Sequence, residues 1–387
     1  MPSRNPSPEP SAERQSQFPT EEAQKSTGSG VIEISLADSV PKQPKPDDEF
    51  WLEDGNLTLI ARNAVEFRVY KGPLIANSPV FRDMLSLPQP APEHGHPNAD
   101  PKSPGTLCHR CATYTPALVH VPDSPEDLRH FLRVLVPGRT PRVTPDDLSF
   151  HAVSACVRLG HKYEAEAVLQ GALGYLKKYY VDSFDTWPRV DPPRPPAFEA
   201  AHAIGVVNLA RLTGTDALLP AALMGCCMLG ADELIRGFML EGETGDGARR
   251  EALADAADVG RCFAGRANLM QANTLATLSL FAQTLSEGCT RREVCGAVFL
   301  RLVDELRGHE RVVCTLDWFK YWTDYIDGRD DDRRICAACY KMLQDREKVQ
   351  HKDIWRRLPE LMGVTVEGWA ADGPAAADAS ATPAGQA

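Results

Sequence analysis

The sequence predicts a mixed α/β (α+β) segment followed by an all-helical domain, framed by two disordered tails. Three observations predict it. Two short runs between Leu57 and Val69 alternate apolar with polar residues, which is the period of half-buried strands. From Leu128 onward apolar residues recur on one helical face. Beyond Phe198 helical periodicity dominates as far as Leu361, with no convincing strand.

Residues 1–46 are rich in Pro, Ser, Glu and Gln and are expected to be disordered, because they cannot bury enough surface to offset chain ordering. One island, Val31-Ile32-Glu33-Ile34-Ser35-Leu36, has strand alternation. Order is expected from about Phe50-Trp51, with Asp54-Gly55-Asn56 as a turn. Leu57 and Leu59, then Val65, Phe67 and Val69, read as a hairpin. A helical pattern follows through Leu74, Ile75, Val80, Phe81, Met84 and Leu85. Residues 88–116 collapse into Pro, His, Asn, Gly and Ser, an irregular insertion. Ala117–Val121 reads as a strand.

Two helix starts share one design, hydroxyl then Pro then acid: Ser124-Pro125-Glu126-Asp127 and Thr144-Pro145-Asp146-Asp147. Leu128, Phe131, Leu132 and Leu135 form a face after the first. Leu148, Ala152, Ala155, Cys156 and Leu159 do so after the second, and a third helix carries Ala165 to Leu176. Residues 182–197, with three Pro-containing pairs, read as a stiff linker or crossing segment. The helical domain spans 198–366, with a capping box at Thr290-Arg291-Arg292-Glu293. Residues 370–387, mostly Ala, Gly, Pro and Asp, form a second disordered tail.

The 387 residues carry 42 Lys+Arg against 53 Asp+Glu, a net charge of −11. That balance disfavours a nucleic-acid-coating protein, and the pairs Arg291-Arg292, Arg333-Arg334 and Arg356-Arg357 are interleaved with acids. No nucleic-acid partner is expected. The longest apolar stretch, Ala217–Ala231, is broken by Pro220, Gly225 and Gly230 and falls short of the roughly 20 residues of a membrane span. The first residues lack a signal-peptide pattern. An intracellular protein, cytoplasmic or nuclear, is expected, with its 11 Cys mostly as free buried thiols.

Catalytic signatures are missing: no nucleophile elbow, no Walker loop and no HExxH. The Gly242–Gly247 stretch carries Glu241, Glu243 and Asp246, which would repel phosphate. Neither an enzyme nor a cofactor is expected. Cys336-x-x-Cys339 has zinc-ligand spacing, and Cys314 upstream with His351 downstream would complete a tetrahedral set. The competing reading places the pair inside a helix, where i and i+3 thiols share a buried face. That reading predicts no metal. Cys108-His109-Arg110-Cys111, with His94 and His96 nearby, is a second arrangement, but it has few apolar neighbours to support it.

Residues 48–181 resemble a BTB/POZ domain. The resemblance rests on the order of hairpin, two short helices, strand and alternating helices. It rests also on Phe67-Arg68-Val69-Tyr70-Lys71, Leu74, Ser78-Pro79-Val80-Phe81, Met84, Leu128, Phe131, Leu132, Leu135 and Lys162-Tyr163. Together with Leu57 and Leu59 these residues supply the expected core. Asp48–Asn56, Leu219–Ala222, Arg333–Cys339 and Trp355–Pro359 are similar to segments of the BTB proteins of basidiomycete fungi.

The resemblance implies self-association and recruitment of protein partners, including an adaptor role for a cullin-type ubiquitin ligase with the helical half as substrate reader. It also implies two alternatives: a transcriptional or chromatin-associated regulator, and a zinc-stabilised scaffold. Asn56 and Tyr70 stand where BTB domains of animal transcription factors usually carry Asp and His, which weakens the regulator reading. Val31, Ile32 and Ile34 resemble a SUMO-interacting motif. They also suit the N-terminal strand that many BTB domains exchange between subunits, and a chance apolar cluster is the third reading. The exchange implies a homodimer weakened when residues 1–46 are removed.

Overall fold

A computed structural model of the chain describes residues 43–87, 117–136, 148–187, 194–243, 248–308, 313–318, 322–330 and 332–370. The fold is mixed α/β and rich in helix, with a four-stranded sheet at its N-terminal end. The insertion at 88–116, the Thr144–Asp147 motif, the tail segment with Val31, Ile32 and Ile34, and the last tail all lie outside the described residues, apart from Ala370 at the edge of that tail.

The sheet has the order β1-β3-β2-β4. Strand β1 (Lys45–Trp51) runs parallel to β3, so order begins before the expected boundary at residue 46. The cause is Asp47, whose carboxylate is buried. Its Oδ1 accepts the amides of Glu49 (3.0 Å) and Phe50 (2.9 Å), and its Oδ2 receives Arg129 Nε at 2.7 Å. A charge so fully partnered can be withdrawn from water in a segment that otherwise looks too polar to fold.

Strands β2 (Leu57–Ile60) and β3 (Val65–Val69) pair antiparallel, Leu57 facing Val69 and Leu59 facing Phe67. Helices α1 (Lys71–Asn77) and α2 (Pro79–Ser86) follow. Ser78 caps α2 by accepting the Phe81 amide at 3.1 Å. Strand β4 (Ala117–His120) returns parallel to β2. Helix α3 (Pro125–Leu135) opens on Ser124, which accepts the Asp127 amide at 3.1 Å. Helix α4 (Phe150–Lys162) opens on Ser149, and α5 (Glu166–Lys177) packs against it.

The core of this half contains Leu57, Leu59, Phe67, Val69, Leu74, Phe81, Leu128, Phe131, Leu132, Leu135 and Tyr163. Met84, placed in the core on sequence grounds, is only partly buried and packs on its rim. It lies on α2 beyond the face that carries Phe81 and Leu85.

The second half comprises α6 (His202–Thr213), α7 (Leu219–Cys227), α8 (Ala231–Arg236), the two-residue strands β5 (Phe238–Met239) and β6 (Arg250–Glu251), α9 (Ala256–Leu280), α10 (Arg292–Leu306), α11 (Thr323–Asp327), α12 (Ala337–Arg356) and α13 (Leu358–Leu361). The β5–β6 ladder corrects the expectation of a strand-free second half. Two residues are too few to show a period of two. Gly237 makes the ladder feasible: it has φ 68°, and a Cβ there would sit 1.8 Å from the Glu251 carbonyl oxygen.

The capping box at Thr290–Glu293 does not form. Helix α10 starts at Arg292 with Arg291 at the N-cap and no side-chain cap.

Residues 182–187 and 194–197, read as a linker, do not separate two cores. Trp187 is buried, its ring centroid 4.4 Å from that of Trp355, and the Asp182 carbonyl accepts Trp355 Nε1 at 3.2 Å. One large core joins Phe150, Val153 and Leu173 to Ile204, Val207, Leu223 and Trp355. A third, smaller core lies between α10, α11 and the start of α12, around Phe281, Phe299, Leu302, Trp322 and Leu343. No helix among the described residues is long and apolar enough to cross a membrane.

Candidate metal centre

The small third core contains a group of cysteines. Cys289 lies in the loop after α9, and Cys295 in the opening turn of α10. Cys336 is the N-cap of α12, and Cys339 is that helix's third residue. The four sulfurs all lie within 4.8 Å of one another. Those of Cys289 and Cys336 are 3.8 Å apart. Cys295, Cys336 and Cys339 are buried, and Cys289 is partly exposed.

Helix geometry explains the convergence. Cys336 is not helical: its φ of −72° and ψ of 155° are extended. An N-cap side chain turns back over the first turn of its helix, toward the residue three positions on. The thiols of Cys336 and Cys339 therefore meet at the helix mouth. The expectation that both sit inside a helix is corrected by one residue, since the helix begins at Ala337.

The surroundings favour negative charge at Cys336 alone of the three buried thiols. The Cys336 amide donates to Cys295 Sγ at 3.3 Å. Burial opposes ionisation of Cys336, but the nearby amides of Cys339 and Thr290, with hydrogen bonds from the Cys339 and Cys295 thiols, bring its thiol down to about 6. Burial pushes Cys339 up to about 12, against the Ser286 amide. Burial also raises Cys295. Ionisation of the Cys336 thiol is thus favoured, and the partial positive charge at the N-terminus of α12 adds to that. Ionising all four sulfurs requires a cation among them.

Of the four metal candidates read from sequence, the structure brings Cys336 and Cys339 together and leaves the others out. Cys314 is exposed, and His351 is buried with its ring 5.9 Å from that of Trp318. Sequence reasoning missed Cys289 and Cys295. The available signal was a second spaced pair, Cys289-x5-Cys295, about 40 positions upstream of the first. Cys108, Cys111, His94 and His96 lie outside the described residues.

Another thiol group, Cys226, Cys227 and Cys262, sits in the large core. Hydrogen bonding to Cys262 and burial raise both Cys226 and Cys227. Cys227 Sγ donates to the Cys262 carbonyl at 3.3 Å, as a neutral thiol does.

Asn56 and Tyr70 have structural partners. Asn56 Oδ1 accepts the Lys71 amide at 2.7 Å, capping α1 from the neighbouring turn, and Tyr70 donates to Asp54 at 2.5 Å.

Compared with protein-family models, with curated proteins and with solved structures, the chain matches none.

Proposed function

We propose that this chain is a non-enzymatic protein–protein interaction protein, with a BTB/POZ-type segment as its self-association and recruitment module. One observation carries the reading: the order and packing of the first half. The antiparallel hairpin β2–β3, the helix pair α1–α2, the parallel return of β4 and the packed run α3–α4–α5 follow the succession of elements in the BTB/POZ resemblance. The large core shared by α4, α5 and the C-terminal helices supports an addition to it. A partner bound by the first half would be held in a fixed orientation to whatever the helical half presents.

The test uses the full chain and a chain beginning at Gln43. A cut at residue 46 would remove Lys45 and Pro46 from β1, so it would test strand loss and not tail loss. Light scattering is expected to give a dimer mass for the full chain, lowered in the shorter one. Calorimetry is expected to show binding to the N-terminal region of a recombinant cullin. A monomeric full chain that also ignores cullin would sink this reading.

A further inference from the structure

We propose that Cys289, Cys295, Cys336 and Cys339 bind one structural Zn²⁺ ion, which clamps the loop after α9 and the starts of α10 and α12 into one unit. The inference does not depend on the interaction reading above, since it concerns only these four sulfurs and the core around them.

Distance is the first argument. Zinc holds thiolate sulfur at about 2.3 Å in a tetrahedron, whose edge is then about 3.8 Å. The Cys289–Cys336 separation is 3.8 Å, and no pair exceeds 4.8 Å. A small contraction closes the set around one ion. A cluster of several irons needs a wider cage, because inorganic sulfides and irons lie between its ligands. None of the four cysteines is bridged to another.

Chemistry is the second argument. Four sulfur ligands suit a soft-tolerant d¹⁰ ion with no preferred geometry of its own. All four coordination positions are filled by protein, so no site is left for water or substrate and the role is structural. On binding, each thiol that is still protonated releases its proton to solvent. Four thiolates around Zn²⁺ leave a net charge of about −2. The Cys336 amide on Cys295 Sγ is the kind of outer donor that spreads such charge. Arg346 steadies the approach of the loop, donating to the carbonyls of Leu280 (3.2 Å), Ala282 (3.0 Å) and Thr284 (3.0 Å).

Need is the third argument. The third core is small, built besides the cysteines around Phe281, Phe299, Leu302, Trp322 and Leu343. Cores of that size are commonly stapled by a disulfide or a metal.

The full-length chain, purified under reducing conditions, is expected to carry one equivalent of zinc by elemental analysis. X-ray absorption at the zinc edge should show four sulfur neighbours at about 2.3 Å. Cys295→Ser should weaken zinc at least tenfold in a chelator competition, whereas Cys314→Ser, a change at the exposed thiol outside the group, should leave it unchanged. Should Cys295→Ser fail to fold, the absorption spectrum and competition titration of the unaltered chain still decide. Iron in place of zinc, disulfides among the four cysteines, nitrogen or oxygen in the zinc shell, or no zinc binding tighter than micromolar would each overturn the proposal.

Discussion

Phe67 has no exposed surface. It faces Leu59 across the hairpin and lies 6.4 Å from the Phe50 ring. Phe67→Ala leaves a cavity that the paired strands cannot collapse to fill. The expected cost is about 3–5 kcal/mol, read as a lowered denaturant midpoint. A variant as stable as the parent would remove the assigned strand register. Alternation in the sequence was enough to place this residue. It could not show that Met84 stops at the rim, because that depends on how a two-turn helix rolls against its neighbours.

His202 carries a pH prediction that no pattern announced. Its Nδ1 accepts the Glu199 amide at 2.9 Å, and its ring stacks on Phe150 at 4.5 Å with Phe238 edge-on. Burial, then the proximity of His151 and Arg194, hold it down to about 4. The unfolded imidazole titrates near 6.5, so between about pH 4 and 6.5 the unfolded chain binds more protons. Stability is therefore full above about pH 6.5 and falls as pH drops toward 4. The expected loss is about 2 kcal/mol after allowance for solvent screening. Denaturant titrations at pH 7.5 and 4.5, with the His202 proton shift followed by NMR, check this. A midpoint near 6.5 for His202 would refute it.

At the scale of elements, the start of α12 decides the chemistry. Reading Cys336 and Cys339 as helical predicts two inert thiols. Moving the helix start to Ala337 aims both at Cys289 and Cys295. Helix boundaries are the detail that sequence periodicity resolves least well, because the N-cap lies outside the repeat it precedes. The failure of the Thr290 capping box is a second case. The Thr290 amide lies beside the Cys336 sulfur, and α10 starts one residue later than the motif places it. Chelating the metal from the full chain is expected to open the segment between Leu280 and Ala337 to limited proteolysis at least tenfold faster, while the four-stranded sheet stays protected. Equal cleavage rates with and without chelator would show that the clamp has no structural role.

For the molecule as a whole, the 182–187 segment changes what can stand alone. A first half ended at residue 181 would lose Trp187 and Trp355. It would also bare the faces of α4 and α5 that carry Phe150, Val153 and Leu173. Exposed apolar surface of this extent is an association hazard. A chain of residues 43–181 is expected to aggregate or to bind a hydrophobic dye strongly, whereas the full chain does not. A monodisperse, dye-silent fragment would show that the two halves fold independently.

Local residue spacing alone was enough for the period of the long helices, the β2–β3 hairpin, the Ser-Pro start of α3 and most of the first core. These depend on residues close in the chain, whose spacing reports directly which face is buried. Three further points emerged from long-range packing. It placed Trp187, from the expected linker, in the main core, it ordered Lys45 and Pro46 around a buried carboxylate, and it brought Cys289 and Cys295 to Cys336 and Cys339 from about 40 residues away. Each of these depends on a partner distant in sequence. Whether a Trp, an Asp or a Cys is solvent-facing, ion-paired or metal-ready is set by what the fold places against it, and local spacing carries no record of that.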